Sequence, residues 1–250
     1  MSGPPRPITR RAALTIGARA ALTLAGLRLA AQPAPLALAS ESTDLVRRTI
    51  PSSGERIPAV GIGTARRFDV GESAEARAPL LEVLRELPRL GGMVVDTAPS
   101  YGAAETVIGD LVEALGNRRA LFIATKVGRG RAGVAAGLAE MRRSIERLRS
   151  ERIDLLQIHN MAGVEQMLPV LRAWKQEGRI RYHGVTTSSA RQHEALARLV
   201  QREPIDFIQI DYAVDNRAAE SRLLPLAARR ASRSGSSERA GSAARWASTG

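Results

Sequence analysis

The chain has 250 residues, 44% hydrophobic and 25% charged, the composition of a globular protein long enough for one large domain. It contains no cysteine, which excludes disulfides, thiolate catalysis and cysteine-based zinc sites, and its formal net charge is +12 at pH 7. That charge would suit a nucleic-acid partner if it were concentrated on the folded part, but Arg6, Arg10, Arg11, Arg19 and Arg28 stand in residues 1–39 without an acid, and residues 229–250 add Arg229, Arg230, Arg233, Arg239 and Arg245 against Glu238 alone. The middle of the chain keeps about +3, too little to mark a nucleic-acid binder.

At the start, Thr9-Arg10-Arg11-Ala12-Ala13-Leu14 sets paired arginines before an Ala/Leu-rich run reaching about Ala31. This resembles a twin-arginine export signal, with Ala13 where an aromatic is common, and Ala37-Leu38-Ala39 offers a small-residue cleavage site that would leave Ser40 first. Residues 1–39 are therefore expected to be a targeting segment that delivers the chain to the periplasm, or a disordered start of a cytoplasmic protein if the signal is not used. Arg19 and Arg28 interrupt the apolar run, so no stable membrane span is expected.

From residue 45 the pattern changes. Val46–Ile50, the turn Pro51–Glu55 and Arg56–Gly61 read as a β-hairpin leading into a strand closed by Gly61-Ile62-Gly63-Thr64, whose glycines suggest close approach of another backbone or a ligand. That Gly-x-Gly is weak evidence of nucleotide binding, because the third glycine of the dinucleotide fingerprint is absent. Helices and strands then alternate: helix Ala76–Leu90, strand Met93–Asp96, helix Ala103–Leu115, strand Leu121–Lys126, helix Val134–Leu148, strand Ile153–His159 and helix Val164–Glu177. Strand Ile180–Thr187, helix Ala190–Val200, strand Phe207–Tyr212 and helix Arg217–Arg229 follow. About six βα units joined by short loops specify a parallel α/β sheet with helices packed outside. Polar residues emerge at the C-terminal ends of consecutive strands, where a (β/α)8 TIM barrel keeps its active site; a doubly wound sheet is the competing arrangement. The barrel region is placed at residues 45–229. Residues 230–250, rich in Ser, Gly, Ala and Arg without apolar periodicity, are expected to form a disordered tail.

Three apolar strands end in groups that carry or move protons: Asp96 with Tyr101 just beyond, Lys126, and His159. Each alone has an ordinary explanation as a cap, a boundary aromatic, a solvated lysine or a structural histidine. In a barrel, neighbouring strand ends converge on one mouth, so the four would share a pocket. A phenol is a poor acid near neutrality, with an ordinary pKa of about 10. A neighbouring ammonium favours the phenolate, and a carboxylate paired with that ammonium keeps it charged and aimed.

Asp96-Thr97-Ala98, Tyr101-Gly102, Glu105 and Ile108-Gly109 resemble the aldo-keto reductase motif D-T-A-x-x-Y-G-x-x-E-x-x-I/L-G, and Thr125-Lys126 and Asp154-Leu155-Leu156-Gln157-Ile158-His159 resemble that family's lysine and histidine segments. The resemblance runs from about Ile50 to Arg229. It implies a (β/α)8 barrel that reduces aldehydes and ketones with NADPH, with Tyr101 as general acid, Lys126 and Asp96 tuning it, and His159 orienting the carbonyl. It also implies that Thr186, Thr187 and Gln209 hold the nicotinamide carboxamide, although Thr187 stands where many relatives have an asparagine. No metal ligand set is implied. Nothing after Arg230 resembles the family's last barrel units and their phosphate-gripping basic cluster, so the tail reads as a truncated or altered end, or else as a novel terminus. The expected activity is therefore carbonyl reduction. The alternative is a catalytically silent remnant or binding protein of the same descent, with Ala59–Gly63 and Phe207–Tyr212 as open edges prone to self-association.

Overall fold

The structure is a computed structural model that describes residues 45–234. The expected export signal, and the tail beyond Ser234, lie outside the described residues.

A hairpin comes first. Strands β1 (Arg47–Thr49) and β2 (Arg56–Pro58) pair antiparallel across a turn in which Gly54 takes a φ of 77°. Six parallel strands follow: β3 (Gly61–Gly63), β4 (Val94–Asp96), β5 (Phe122–Val127), β6 (Ile153–Ile158), β7 (Ile180–Thr187) and β8 (Phe207–Ile210). Helices α1 (Ala74–Arg89), α2 (Ala104–Leu115), α3 (Val134–Arg147), α4 (Val164–Gln176) and α5 (His193–Arg202) connect them, and α6 (Leu223–Ser234) follows β8. The sheet order is simply β3-β4-β5-β6-β7-β8. A doubly wound sheet reverses its order at a switch point; a monotone order belongs to a barrel wall.

The wall is curled. Four inter-strand steps separate β4 from β8, roughly 19 Å if the sheet were flat, yet the Gln209 amide donates to Asp96 Oδ2 at 3.2 Å. The described residues thus form a six-stranded half-barrel of TIM type. Period-two alternation sorts its side chains: Val94, Phe122, Ala124, Leu155, Tyr182 and Phe207 face inward and meet Ile50 and Ile57 of the hairpin, which floors the N-terminal end. Phe122, Tyr182 and Phe207 form an aromatic plug with ring centroids 5.6 to 6.1 Å apart. Tyr182 pins the hairpin by hydrogen bonds to Ser53, at 2.7 Å, and to Glu55. The opposite face, with Val95, Ile123, Leu156 and Val185, packs against the helices around Ile108, Met141, Leu171 and Leu196.

Close approach explains two glycines. A Cβ on Gly61 would lie 2.7 Å from Val94 Cβ, so it is a neighbouring strand that this glycine admits, as its position in the sequence suggests. A Cβ on Gly109 would lie 2.0 Å from the Arg147 carbonyl oxygen, where α2 crosses the end of α3.

A buried polar clamp joins α4, β7 and β8. Asp206, 5% exposed at its side chain, accepts hydrogen bonds from Lys175 Nζ at 2.8 and 2.7 Å and from the His183 backbone N–H at 3.0 Å, and its Oδ2 lies 3.0 Å from His183 Nδ1. Burial alone would push this carboxyl upward; the bonds from His183, Lys175 and Ser52 outweigh it and hold the group well below the usual carboxylate range.

The boundaries after β8 depart from expectation. A helix over 217–229 would place Pro225 in its interior, where the ring clashes with the preceding turn and the N–H for Ser221 is missing. The chain instead makes a short 3-10 turn at Ala218–Ser221 and starts α6 at Leu223, leaving Pro225 in the tolerant first turn. The helix then continues to Ser234, so residues 230–234, expected in the tail, are helical; Arg230 fixes this end by donating to the Val200 carbonyl at 3.0 Å. Likewise β8 stops at Ile210 because Asp211 turns aside to bind His193 at 2.9 Å and Asn216 at 2.8 Å.

Among the described residues no helix is long and apolar enough to cross a membrane, and no cluster of His, Asp or Glu could hold a metal ion.

Candidate active site

The site lies at the C-terminal ends of β4, β5 and β6. Asp96 is the last residue of β4 and pairs in register with Ala124, so Lys126, two residues further along β5, projects from the same inner face. Lys126 is 2% exposed, yet its ammonium is satisfied: Nζ donates to Asp96 Oδ2 at 2.8 Å and to the Thr97 carbonyl at 2.9 Å. A buried ammonium is tolerated only with such partners. The Tyr101 ring stands over it, its centroid 5.1 Å from Nζ.

Tyr101 is held by a tight loop between β4 and α2. Its N–H donates to the Ala98 carbonyl, and Gly102, at φ 59°, turns the chain into the helix. Asp69, from the loop after β3, accepts from the Ala103 N–H at 2.8 Å, and a Cβ on Gly102 would lie 2.2 Å from that carboxylate. Only glycine admits this cap.

His159 follows β6 directly, and its ring meets Tyr101 edge-on at 6.3 Å. Its pKa is lowered from 6.5 by burial and by the Lys126 ammonium, against the smaller opposing pulls of Asp96 and Glu140. The imidazole is therefore neutral at neutral pH and can donate one N–H without acting as a strong acid. The next two residues, Asn160 and Met161, are both left-handed, at φ 50° and 56°. This costly backbone is pinned by Asn160 N–H to Thr186 Oγ1 at 2.9 Å and by Asn160 Oδ1, which accepts from the Ser188 N–H and hydroxyl at 3.1 Å.

The three residues expected to hold a cofactor divide. Thr186 and Gln209 are in register on β7 and β8 and face the interior. Gln209 is bonded to Asp96 and accepts from Gln157 Nε2 at 3.2 Å, joining β6, β8 and β4 across the mouth. Thr187, on the other face of β7, has its hydroxyl 2.6 Å from Gln192 Oε1 and accepts from the Ser189 N–H at 3.1 Å, turned away from the pocket. The inner hydroxyl of Thr186 and the amide of Gln209 suit a carboxamide-bearing ring; Thr187 does not.

Sequence reasoning missed Gln157 and Glu140. Gln157, 2% exposed, is a polar residue on the inner face of β6, two residues beyond Leu155, and the β6 alternation would have exposed it. Glu140 lies on α3 and accepts from the Gly128 and Arg129 N–H groups at 2.6 and 2.8 Å, fixing the loop after β5 beside His159; nothing local in the sequence marks it. Asp154, part of the histidine segment, sits at the far end of its strand, accepting from Arg118, Arg181 and the Ile123 N–H, and belongs to the floor.

Residues 59–231 match the sequence profile of the Aldo/keto reductase family. The chain belongs to this family. It is 34% identical over 158 residues to L-galactose dehydrogenase of Arabidopsis thaliana, covering 58% of this chain and 49% of that one. It is 29% identical over 184 residues to a methylglyoxal reductase of Escherichia coli, covering 72% of this chain and 63% of the relative. The matched part thus spans about half to under two-thirds of these curated relatives' length. Among solved structures, the chain superimposes on an aldo-keto reductase from Klebsiella pneumoniae in complex with NADPH with a TM-score of 0.60 at 26% identity, covering 75% of this chain and 66% of the other. A thermostable aldo-keto reductase bound to the inhibitor epalrestat gives 0.63 at 27% identity, with 75% and 70% covered.

Proposed function

We propose that this aldo/keto reductase reduces the carbonyl group of small aldehydes or ketones to an alcohol, with NADPH as hydride donor. The observation that carries this is the buried Lys126–Asp96 pair lying under the Tyr101 ring with a neutral His159 at its edge. NADPH held through Thr186 and Gln209 would supply the hydride to the carbonyl carbon. Tyr101 gives its phenolic proton to the carbonyl oxygen, so that one hydride and one proton complete the alcohol. Lys126 compensates the negative charge left on the phenolate, and Asp96 keeps that ammonium oriented. His159 donates its N–H to the carbonyl oxygen and holds it toward Tyr101. The relatives named for methylglyoxal and L-galactose support small polar carbonyl compounds or their alcohols as the substrate class. The paired arginines support export, which fractionation of the 250-residue chain with and without Arg10→Lys and Arg11→Lys would test.

The deciding experiment mixes purified protein with NADPH and a panel of aldehydes and ketones and follows loss of NADPH absorbance. Turnover that disappears in Tyr101→Phe supports the proposal. No turnover across the panel, together with no fluorescence change on NADPH titration, would favour a silent relative that keeps only the scaffold.

A further inference from the structure

Glu105 has no place in the proton path just described, yet it is the most heavily bonded carboxylate near it. Its side chain is 1% exposed, in the first turn of α2, four residues beyond Tyr101. One oxygen accepts from Thr125 Oγ1 at 2.5 Å; the other accepts from Arg147 Nε at 2.8 Å, Arg147 Nη2 at 2.6 Å and Ser144 Oγ at 3.3 Å. Thr125 precedes Lys126 on β5, and alternation sends its hydroxyl outward to Glu105 while Lys126 points in. A single carboxylate therefore ties the strand that carries Lys126 to the helix that begins where the Tyr101 loop ends. It also anchors both to α3, beside the contact that Gly109 makes possible one helical turn further on.

We propose that Glu105 is a positioning residue: acting through Thr125 and the first turn of α2, it sets the separation of the Lys126 ammonium from the Tyr101 phenol. This rests on the carbonyl-reductase function proposed above. Both ends of that separation hang on short segments. β5 ends one residue past Lys126, and the Tyr101 loop holds only Thr97–Ala103 between strand and helix. Without the carboxylate, the Thr125 hydroxyl and the Arg147 guanidinium lose their shared acceptor, and β5 and α2 are free to shift relative to each other. Misplacement of a proton donor by about 1 Å costs up to a hundredfold in rate.

The test compares Glu105→Gln, Thr125→Val, Thr125→Ser and the Glu105→Gln/Thr125→Val double variant at a temperature where all are folded. Expected are a fall in kcat of roughly ten- to a hundredfold in the first two with KM for aldehyde and NADPH unchanged, near-full rescue in Thr125→Ser, and a double variant no worse than Glu105→Gln alone. A second readout needs no turnover: the His159 imidazole, whose pKa the Lys126 ammonium helps to lower, is titrated by NMR, and its midpoint should move in Glu105→Gln and Thr125→Val as that ammonium is displaced. If both variants melt earlier but keep the wild-type kcat, pH profile and His159 titration, Glu105 is a structural ion pair only and the proposal is overturned. If wild type itself turns over no substrate, the reductase function fails, while the His159 titration still decides whether Glu105 places Lys126. Should Glu105→Gln not fold, Thr125→Val carries both readouts.

Discussion

Replacing Asp206 by asparagine should destabilise the half-barrel by breaking the clamp that joins α4, β7 and β8. The clamp holds Lys175, 35% exposed, and His183, 6% exposed at their side chains, against a carboxylate that is 5% exposed. The amide in Asp206→Asn would keep one acceptor but present an NH2 group where the other oxygen meets Lys175 or the His183 N–H. Breaking a buried pair from one side costs about 3–5 kcal/mol; because Lys175 can regain water, the lower end, about 3 kcal/mol, is expected. With a urea slope of about 2 kcal/mol/M this moves the unfolding midpoint down by roughly 1.5 M. The folded-state pKa of Asp206 is depressed, so its contribution is complete above the ordinary carboxylate pKa and is lost as pH falls toward the folded value. The wild-type advantage should therefore be full near pH 7 and smaller at about pH 3. Urea melts followed by tryptophan fluorescence at the two pH values measure both. Equal midpoints at neutral pH, or a gap that widens in acid, would show that the clamp does not act as reasoned.

Three further outcomes are expected. Tyr101→Phe should lower kcat by about 10²- to 10⁴-fold in steady-state assays while fluorescence titration finds NADPH affinity unchanged, because only the proton is removed. Lys126→Met should raise the His159 midpoint in an NMR titration by removing a cation that lowers it, yet leave it below 6.5, since burial is the larger cause. Phe122→Ala should cost about 3–5 kcal/mol in denaturant unfolding, since the plug it shares with Tyr182 and Phe207 would be left with a void.

The order of elements was legible because each strand is short, apolar and fenced by glycine or a cap, and because consecutive parallel strands have few ways to pair. Asp96, Lys126 and His159 were legible as a group for the same reason: neighbouring strand ends must converge in a curled sheet. Phase and curvature were harder. Resemblance places Thr186 and Thr187 in one pocket, yet Thr187 follows Thr186 immediately and one step along a strand reverses the face. The sequence points Gln209 to a cofactor, and its bond to Asp96, which depends on how tightly the wall bends, is encoded by no local pattern. Asp154 belongs to the same short segment as His159 but is separated from it by the length of the strand, and so works at the floor. Pro225 could have moved the last helix to its true start; the apolar periodicity from Ala219 to Leu226 concealed it.

The left-handed pair after His159 sets stability against usefulness. Two consecutive non-glycine residues at positive φ hold roughly 1–3 kcal/mol of strain each, and glycine at 160 or 161 would relax it. A screen for heat tolerance would reward such a change. The same change would let the segment carrying the imidazole sample other directions, so the mutants that last longest in the tube would be the ones with the least well-aimed histidine. In this chain the backbone just past β6 is tensioned, and a version selected only for robustness would tend to go slack there first.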